Sequence, residues 1–169
     1  MRAQITLVVG GLLVLPAHAA EIDLNLQIPQ LKVAEYHRPY VAIWVEKGDQ
    51  TAVANLAVWY QQKATNEGAG TKWLPDLRQW WRRSGRDLKV PVDGVTGATR
   101  PVGKHSIKFD ESHPELAKLP AGDYVLAIEA AREVGGRELL RIPFKWRGKS
   151  SGSAKGSSEL GEITLSTTP

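Results

Sequence analysis

The chain of 169 residues contains no cysteine. Disulfides, thiolate metal sites and thiol-attached haem are excluded, so an exported protein of this length must hold its fold by core burial alone. Also missing is any apolar run long enough to cross a bilayer as a helix, which takes about 20 residues. Stable membrane insertion is therefore not expected. Neither charge sign dominates: 22 Lys and Arg face 18 Asp and Glu, a formal charge of +4. The basic residues are interspersed with acids, so nucleic acid is not an expected partner. His37, His105 and His113 are far apart in sequence and no His-x-x-x-His spacing occurs, so no metal site is expected. No serine sits in a strand-to-helix nucleophile turn, which argues against a Ser/His/Asp hydrolase. No internal repeat is evident.

What is present begins with an export leader. Arg2 supplies the positive end, Ile5 to Leu15 a short apolar stretch, and Ala17-His18-Ala19 a small-residue cleavage pattern, the three parts of a secretory signal. The expected leader is 1–19, removed with Arg2. The mature chain is then 20–169, the length of one ordinary domain with a sizeable core, outside the cytoplasm.

Hydrophobic periodicity is mostly that of strands. Ile22 to Ile28 alternates apolar and polar and ends at Pro29, while Tyr40 to Val45 and Ala52 to Tyr60 are apolar and aromatic runs joined by a polar, glycine-containing hairpin turn. Tyr124 to Ala130 and Glu138 to Trp146 alternate around the turn signal Val134-Gly135-Gly136, His105 to Phe109 reads as a short strand, and Leu160 to Leu165 closes the fold. Trp73, Leu77, Trp80 and Trp81 fall at helical spacings, which predicts one short helix from about Pro75 to Ser84, stopped by Gly85. Gly148 to Ser158 is rich in Gly, Ser and Lys and reads as a flexible loop. Seven or so strands with one short helix predict an all-β fold, an immunoglobulin-like antiparallel β-sandwich, with a distorted barrel as the competing architecture.

The stretch Asp93 to Pro101, Asp-Gly-Val-Thr-Gly-Ala-Thr-Arg-Pro, cannot fill a core, and small residues around Thr99 suit a mobile segment that a modifying enzyme could draw into its own site. An exposed loop is expected. Its order resembles the acceptor motif of bacterial flavoproteins that carry FMN in phosphoester linkage: an acid, two variable positions, Ser/Thr, Gly, Ala and the modified Thr/Ser. Asp93, Thr96, Gly97, Ala98 and Thr99 fit that pattern. The resemblance implies that Thr99 is the attachment point, that an FAD:protein FMN transferase installs the group, and that Asp93 matters to recognition by the transferase. Backbone N–H groups near Gly97 and Ala98, with the Arg100 guanidinium, could neutralise the phosphodiester. Asp93 could hold the loop by bonding backbone N–H groups.

A wider resemblance covers most of the mature chain. Val58-Trp59-Tyr60, Trp73-Leu74-Pro75-Asp76-Leu77 followed by Trp80, the Asp93 to Pro101 stretch, and Pro120-Ala121-Gly122-Asp123-Tyr124 are similar to the predicted periplasmic proteins of domain-of-unknown-function family twenty-two seventy-one. That likeness implies a periplasmic, flavinylated domain working with membrane redox proteins, often of the PepSY type. It implies electron relay rather than a stand-alone catalyst, with no catalytic residue expected on the chain. Trp73, Trp80 and Trp81 are candidate stacking surfaces for the flavin ring or, alternatively, core aromatics of an amphipathic helix. Lys104 and His105 are candidate polar neighbours. A non-redox sandwich module that binds a ligand or protein through its aromatic and loop surface is the alternative function.

Overall fold

The computed structural model describes residues 19–66 and 68–169, and the expected leader falls outside these apart from Ala19. Among the described residues nine strands form two sheets: β1 Glu21–Ile28, β2 Tyr40–Glu46, β3 Ala52–Tyr60, β4 Thr96–Ala98, β5 Gly103–Asp110, β6 Gly122–Ala131, β7 Arg137–Trp146, β8 Ser150–Lys155 and β9 Glu162–Thr168. One sheet runs β5-β1-β9-β8, the other β4-β3-β2-β6-β7. The expected β-sandwich is found, and the barrel is not.

Between the sheets lies the main core. Ile22, Leu24, Leu26 and Ile28 of β1 meet Val41, Ile43 and Val45 of β2, Leu56 of β3, and Leu126 and Ile128 of β6. The alternation in β1 is that of a strand with one wet face. The central strands β2 and β3 instead read as continuous apolar runs because both of their faces are covered. On the outer face Ala42, Trp44, Val58, Tyr60 and Ala127 form a second core with Leu74, Leu77 and Trp80.

Those last three residues come from the crossover between β3 and β4, which carries a 3₁₀ turn at Gly70–Asp76, α1 at Arg78–Arg83 and a 3₁₀ turn at Gly85–Asp87. The expected single helix is thus broken at Leu77, where φ −75° and ψ 69° are not helical. A second short helix, α2 at Pro114–Ala117, precedes β6. The crossover returns the chain so that β4 pairs parallel with β3, Val58 opposite Thr96 and Tyr60 opposite Ala98. This pair departs from the otherwise antiparallel pairing, and parallel neighbours need such a long covered connection.

A buried carboxylate fixes the crossover to the sheet. Glu129, fully buried on β6, accepts the backbone N–H groups of Gln79 (3.0 Å) and Trp80 (2.8 Å) and Nη1 of Arg137 (3.1 Å). The two N–H groups belong to the first turn of α1, which has no side-chain cap of its own.

The segment Gly148 to Ser158 corrects the expected flexible loop, since it contains β8, paired with β9 from Ser150 opposite Thr167 to Lys155 opposite Glu162. Its residues alternate between half-buried and exposed, so hydropathy gives no strand signal. A Cβ at Gly152 would lie 2.6 Å from Ile142 Cγ2, which explains a glycine where β8 crosses β7. Glu138 anchors the β8–β9 connection by accepting N–H groups of Ser157 (2.7 Å), Ser158 (3.1 Å) and Leu160 (2.9 Å). Burial pushes its pKa up, but these donors and the Ser157 hydroxyl outweigh it and hold the carboxyl below the usual range.

Two outcomes follow. Glu129→Ala strips the carboxylate from donors that stay buried, and urea unfolding should show a loss of about 3 kcal/mol. Glu138 has a folded pKa below its unfolded value of about 4.3, so its contribution is full above that value and lost as pH falls through the folded pKa. Glu138→Gln should flatten the acid side of the urea midpoint plotted against pH.

Candidate functional site

The acceptor stretch is more ordered than an exposed loop. Thr96–Ala98 forms β4, with Thr96 and Gly97 half-buried and Asp93, Gly94 and Ala98 exposed. The turn before it is tied by Thr96, whose hydroxyl accepts the N–H of Val92 at 2.6 Å and donates to the Val92 carbonyl at 2.9 Å. The structure gives this task to Thr96 rather than to Asp93, which makes no side-chain hydrogen bond among the described residues. The Val95 carbonyl accepts the N–H of Val58 at 2.8 Å, and the Gly97 carbonyl accepts Nε2 of Gln62 at 3.0 Å. A Cβ at Gly97 would stand 3.1 Å from Cδ1 of Trp59, so glycine lets the strand lie against that indole.

Beyond β4 successive side chains point to opposite sides. Thr99 is half-buried on the edge of a cavity of about 310 Å³ whose walls include Tyr36, His37, Arg38, Tyr40 and Trp73. Its hydroxyl makes no hydrogen bond among the described residues. Arg100 faces the other way, its guanidinium carbon 4.2 Å from the centre of the Trp59 ring. Burial of this cation lowers its pKa. Arg100 thus lines a different cavity from Thr99, and the arginine on the Thr99 cavity is Arg38.

Besides Thr99, the cavity walls come from the segment before β2, from Gln61 after β3, from the turn that carries Trp73 and Asp76, and from Ala131 and Glu133 at the end of β6. Tyr36, His37 and Arg38 lie just before β2, where His37 Nε2 is 2.9 Å from Oε1 of Glu35 and its Nδ1 is 3.6 Å from Oε2 of Glu133. The Tyr36 hydroxyl is buried without a hydrogen-bond partner, and burial raises its pKa. Trp73, 36% exposed, rides on the 3₁₀ turn that starts at Gly70. The Tyr40 hydroxyl donates to the Gly70 carbonyl at 3.1 Å. A Cβ at Gly70 would overlap the Gln61 carbonyl oxygen and come within 2.8 Å of the Tyr40 hydroxyl, so only glycine brings the turn this close.

The other tryptophans of the crossover divide as core residues. Trp80 is fully buried, its Nε1 donating to Asn55 at 2.8 Å. Trp81 is half-buried, with ring centroids 6.3 Å from Trp80. Trp73 alone of the three lines the Thr99 cavity. Lys104 stands on β5 opposite Gln27 and lines a separate cavity with Asn25 and Glu162. His105 has its Nε2 2.8 Å from the Pro101 carbonyl and its ring edge-on to Trp59 at 6.3 Å. Sequence reasoning missed Tyr36, His37, Arg38 and Tyr40. The available signal was a dense aromatic and basic run, Tyr-His-Arg-Pro-Tyr, leading into a strand.

On the Arg100 side of β4 lies a second cavity of about 460 Å³, bounded by Trp59, Phe109 and His113 among others. β4 thus separates two concave surfaces.

Residues 21–162 match a protein-family model described as Predicted periplasmic protein (DUF2271). No curated protein and no solved structure matches the chain. No helix of the described residues is long and apolar enough to cross a membrane.

Gly70→Ala tests how the Trp73 wall is built. It should lower stability by about 1–3 kcal/mol in urea unfolding, whereas an unchanged midpoint would mean that the turn is free to shift.

Proposed function

The chain belongs to the DUF2271 family of predicted periplasmic proteins, and on that premise we propose that it is a periplasmic flavoprotein domain. It carries FMN in phosphoester linkage to Thr99 and relays electrons to or from a membrane redox protein, of the PepSY type by the resemblance. The observation that supports this most is the Thr99 hydroxyl, unbonded among the described residues, at the edge of an aromatic cavity and in the last position of Asp-x-x-Thr-Gly-Ala-Thr.

Attachment by an FAD:protein FMN transferase requires the Thr99 oxygen to replace AMP on the FMN phosphorus of FAD, with AMP as leaving group and the hydroxyl proton passing to a base of the transferase. The exposed Asp93 and the small Gly97 and Ala98 leave that approach open. The residues present fit the group. A cavity of about 310 Å³ stands at the lower end of the range for small-molecule sites, about 300–1,000 Å³. Its wall residue Tyr36 has a buried hydroxyl with an unmet hydrogen bond, which a polar ring edge would satisfy. Tyr40 and Trp73 offer aromatic surface, and Arg38 offers a cation for phosphate. When bound, the isoalloxazine supplies the electron chemistry, and the protein's part is position, charge and partial exclusion of water.

Intact mass decides the reading. Protein exported from a host that expresses the transferase should carry the covalent FMN increment, and Thr99→Ala should lose it completely while remaining folded. An unmodified mass under those conditions overturns the flavoprotein assignment and favours the non-redox binding module.

A further inference from the structure

The second cavity is independent of Thr99 and carries two side chains whose donors have no protein acceptor. Arg100 is a partly buried cation that meets no carboxylate and makes no hydrogen bond among the described residues. Its visible stabilisation is the face of Trp59 at 4.2 Å, a contact that leaves the N–H groups of the guanidinium fork without protein acceptors and open to a ligand. His113, 8% exposed, accepts the backbone N–H of Glu115 on Nδ1 at 3.3 Å. That bond leaves the ring proton on Nε2, which is buried and has no acceptor. A buried donor without an acceptor is a standing cost to the fold.

Both residues line the same cavity, and an oxyanion is the species that answers both. The charges around them are compatible with one. Lys108, also on the lining, is engaged with Glu21 at 2.7 Å and Asp23 at 3.1 Å. Asp110 is the one acid on the lining, and its Oδ1 accepts the N–H and the hydroxyl of Ser112. The remainder of the lining includes Ile107, Phe109 and Pro114, which would contribute nothing to a fully hydrated inorganic ion. At about 460 Å³ the space also exceeds what a single inorganic anion fills.

We propose that this cavity is a binding site for a small organic acid, its carboxylate received by Arg100 and His113 and its apolar body laid against Phe109, Ile107 and Pro114. Arg100 supplies the forked, charge-assisted donors that suit a carboxylate. His113 supplies the Nε2 N–H, which has no partner in the protein. The site lies on the opposite side of β4 from the Thr99 cavity, so occupancy at one does not obstruct the other.

The test uses purified protein made without any transferase, so that the state of Thr99 does not enter. Sodium benzoate is titrated at constant ionic strength, with calorimetry for affinity and the Arg100 Nε–H and His113 ring resonances for location. The expected result is saturable binding with Kd of about 1 mM or tighter, with shifts at both residues. Benzyl alcohol, which keeps the ring and lacks the charge, should bind about tenfold more weakly, and sodium phosphate, which lacks the apolar body, should do the same. Arg100→Gln should weaken benzoate about tenfold, and His113→Gln supplies the same comparison should Arg100→Gln lower the urea midpoint. Absence of saturation, equal binding of benzyl alcohol or phosphate, or unchanged benzoate affinity in a folded variant would each overturn the assignment.

Discussion

The buried carboxylate of Glu129 is the constraint on which the arrangement of this molecule turns. Taking a charge out of water costs several kcal/mol, and a β-strand facing a second apolar core is an expensive place to put one. The cost is offset because both oxygens are occupied, by two backbone N–H groups of α1 and by Arg137. Apolar contacts between Leu77, Trp80 and the outer sheet face would hold the crossover on the sheet, but such contacts are non-directional. The carboxylate adds direction, since its bonds can be made in one placement of the helix. Glu46 repeats the device on β2. It is fully buried, accepts Nε1 of Trp44 and Nε of Arg141 at 2.9 Å each, and lies 3.5 Å from Nε of Arg83.

Everything at the acceptor stretch inherits that placement. With α1 fixed, the 3₁₀ turn ahead of it sets Trp73 and the chain behind it returns along the sheet edge as β4. The parallel pairing of β4 with β3 then fixes the sides. A strand's side chains alternate, and the extended chain continuing past Ala98 turns Thr99 to one cavity and Arg100 to the other. A loop with rotational freedom would mix the two environments. A strand end keeps them apart.

The parts of this architecture that were legible in the sequence are those where burial is one-sided or complete. Ile22 to Ile28 announces its inward face, and the runs through Val45 and Tyr60 announce strands covered on both sides. The family was legible too, from aromatic and glycine-containing segments scattered along the chain. Illegible were the elements whose reason lies in a partner. β8 has no buried stripe because its inner side rests on β7 through Gly152, so composition reads as loop. β4 is three residues long, too short for a period, and exists because the crossover delivers it to Trp59. The side of β4 on which Arg100 lies follows from pairing, which no local pattern encodes. Tyr36, His37 and Arg38 belong to an irregular connection, where periodicity has nothing to say.

The two cavities differ in what they must provide, and the difference matches their linings. Under the proposed function, the Thr99 side receives a group already tethered to a residue of its own wall, at the millimolar effective concentration that short tethers confer. Such a site needs shape and aromatic surface more than intrinsic affinity, which is consistent with a modest cavity walled by Tyr36, Tyr40 and Trp73. A ligand arriving from solution at the Arg100 side has no tether and must recover its lost translational and rotational freedom from contacts alone. An unpaired guanidinium and an unanswered imidazole N–H are the features that make such recovery possible. Neither is needed to hold a covalently attached group.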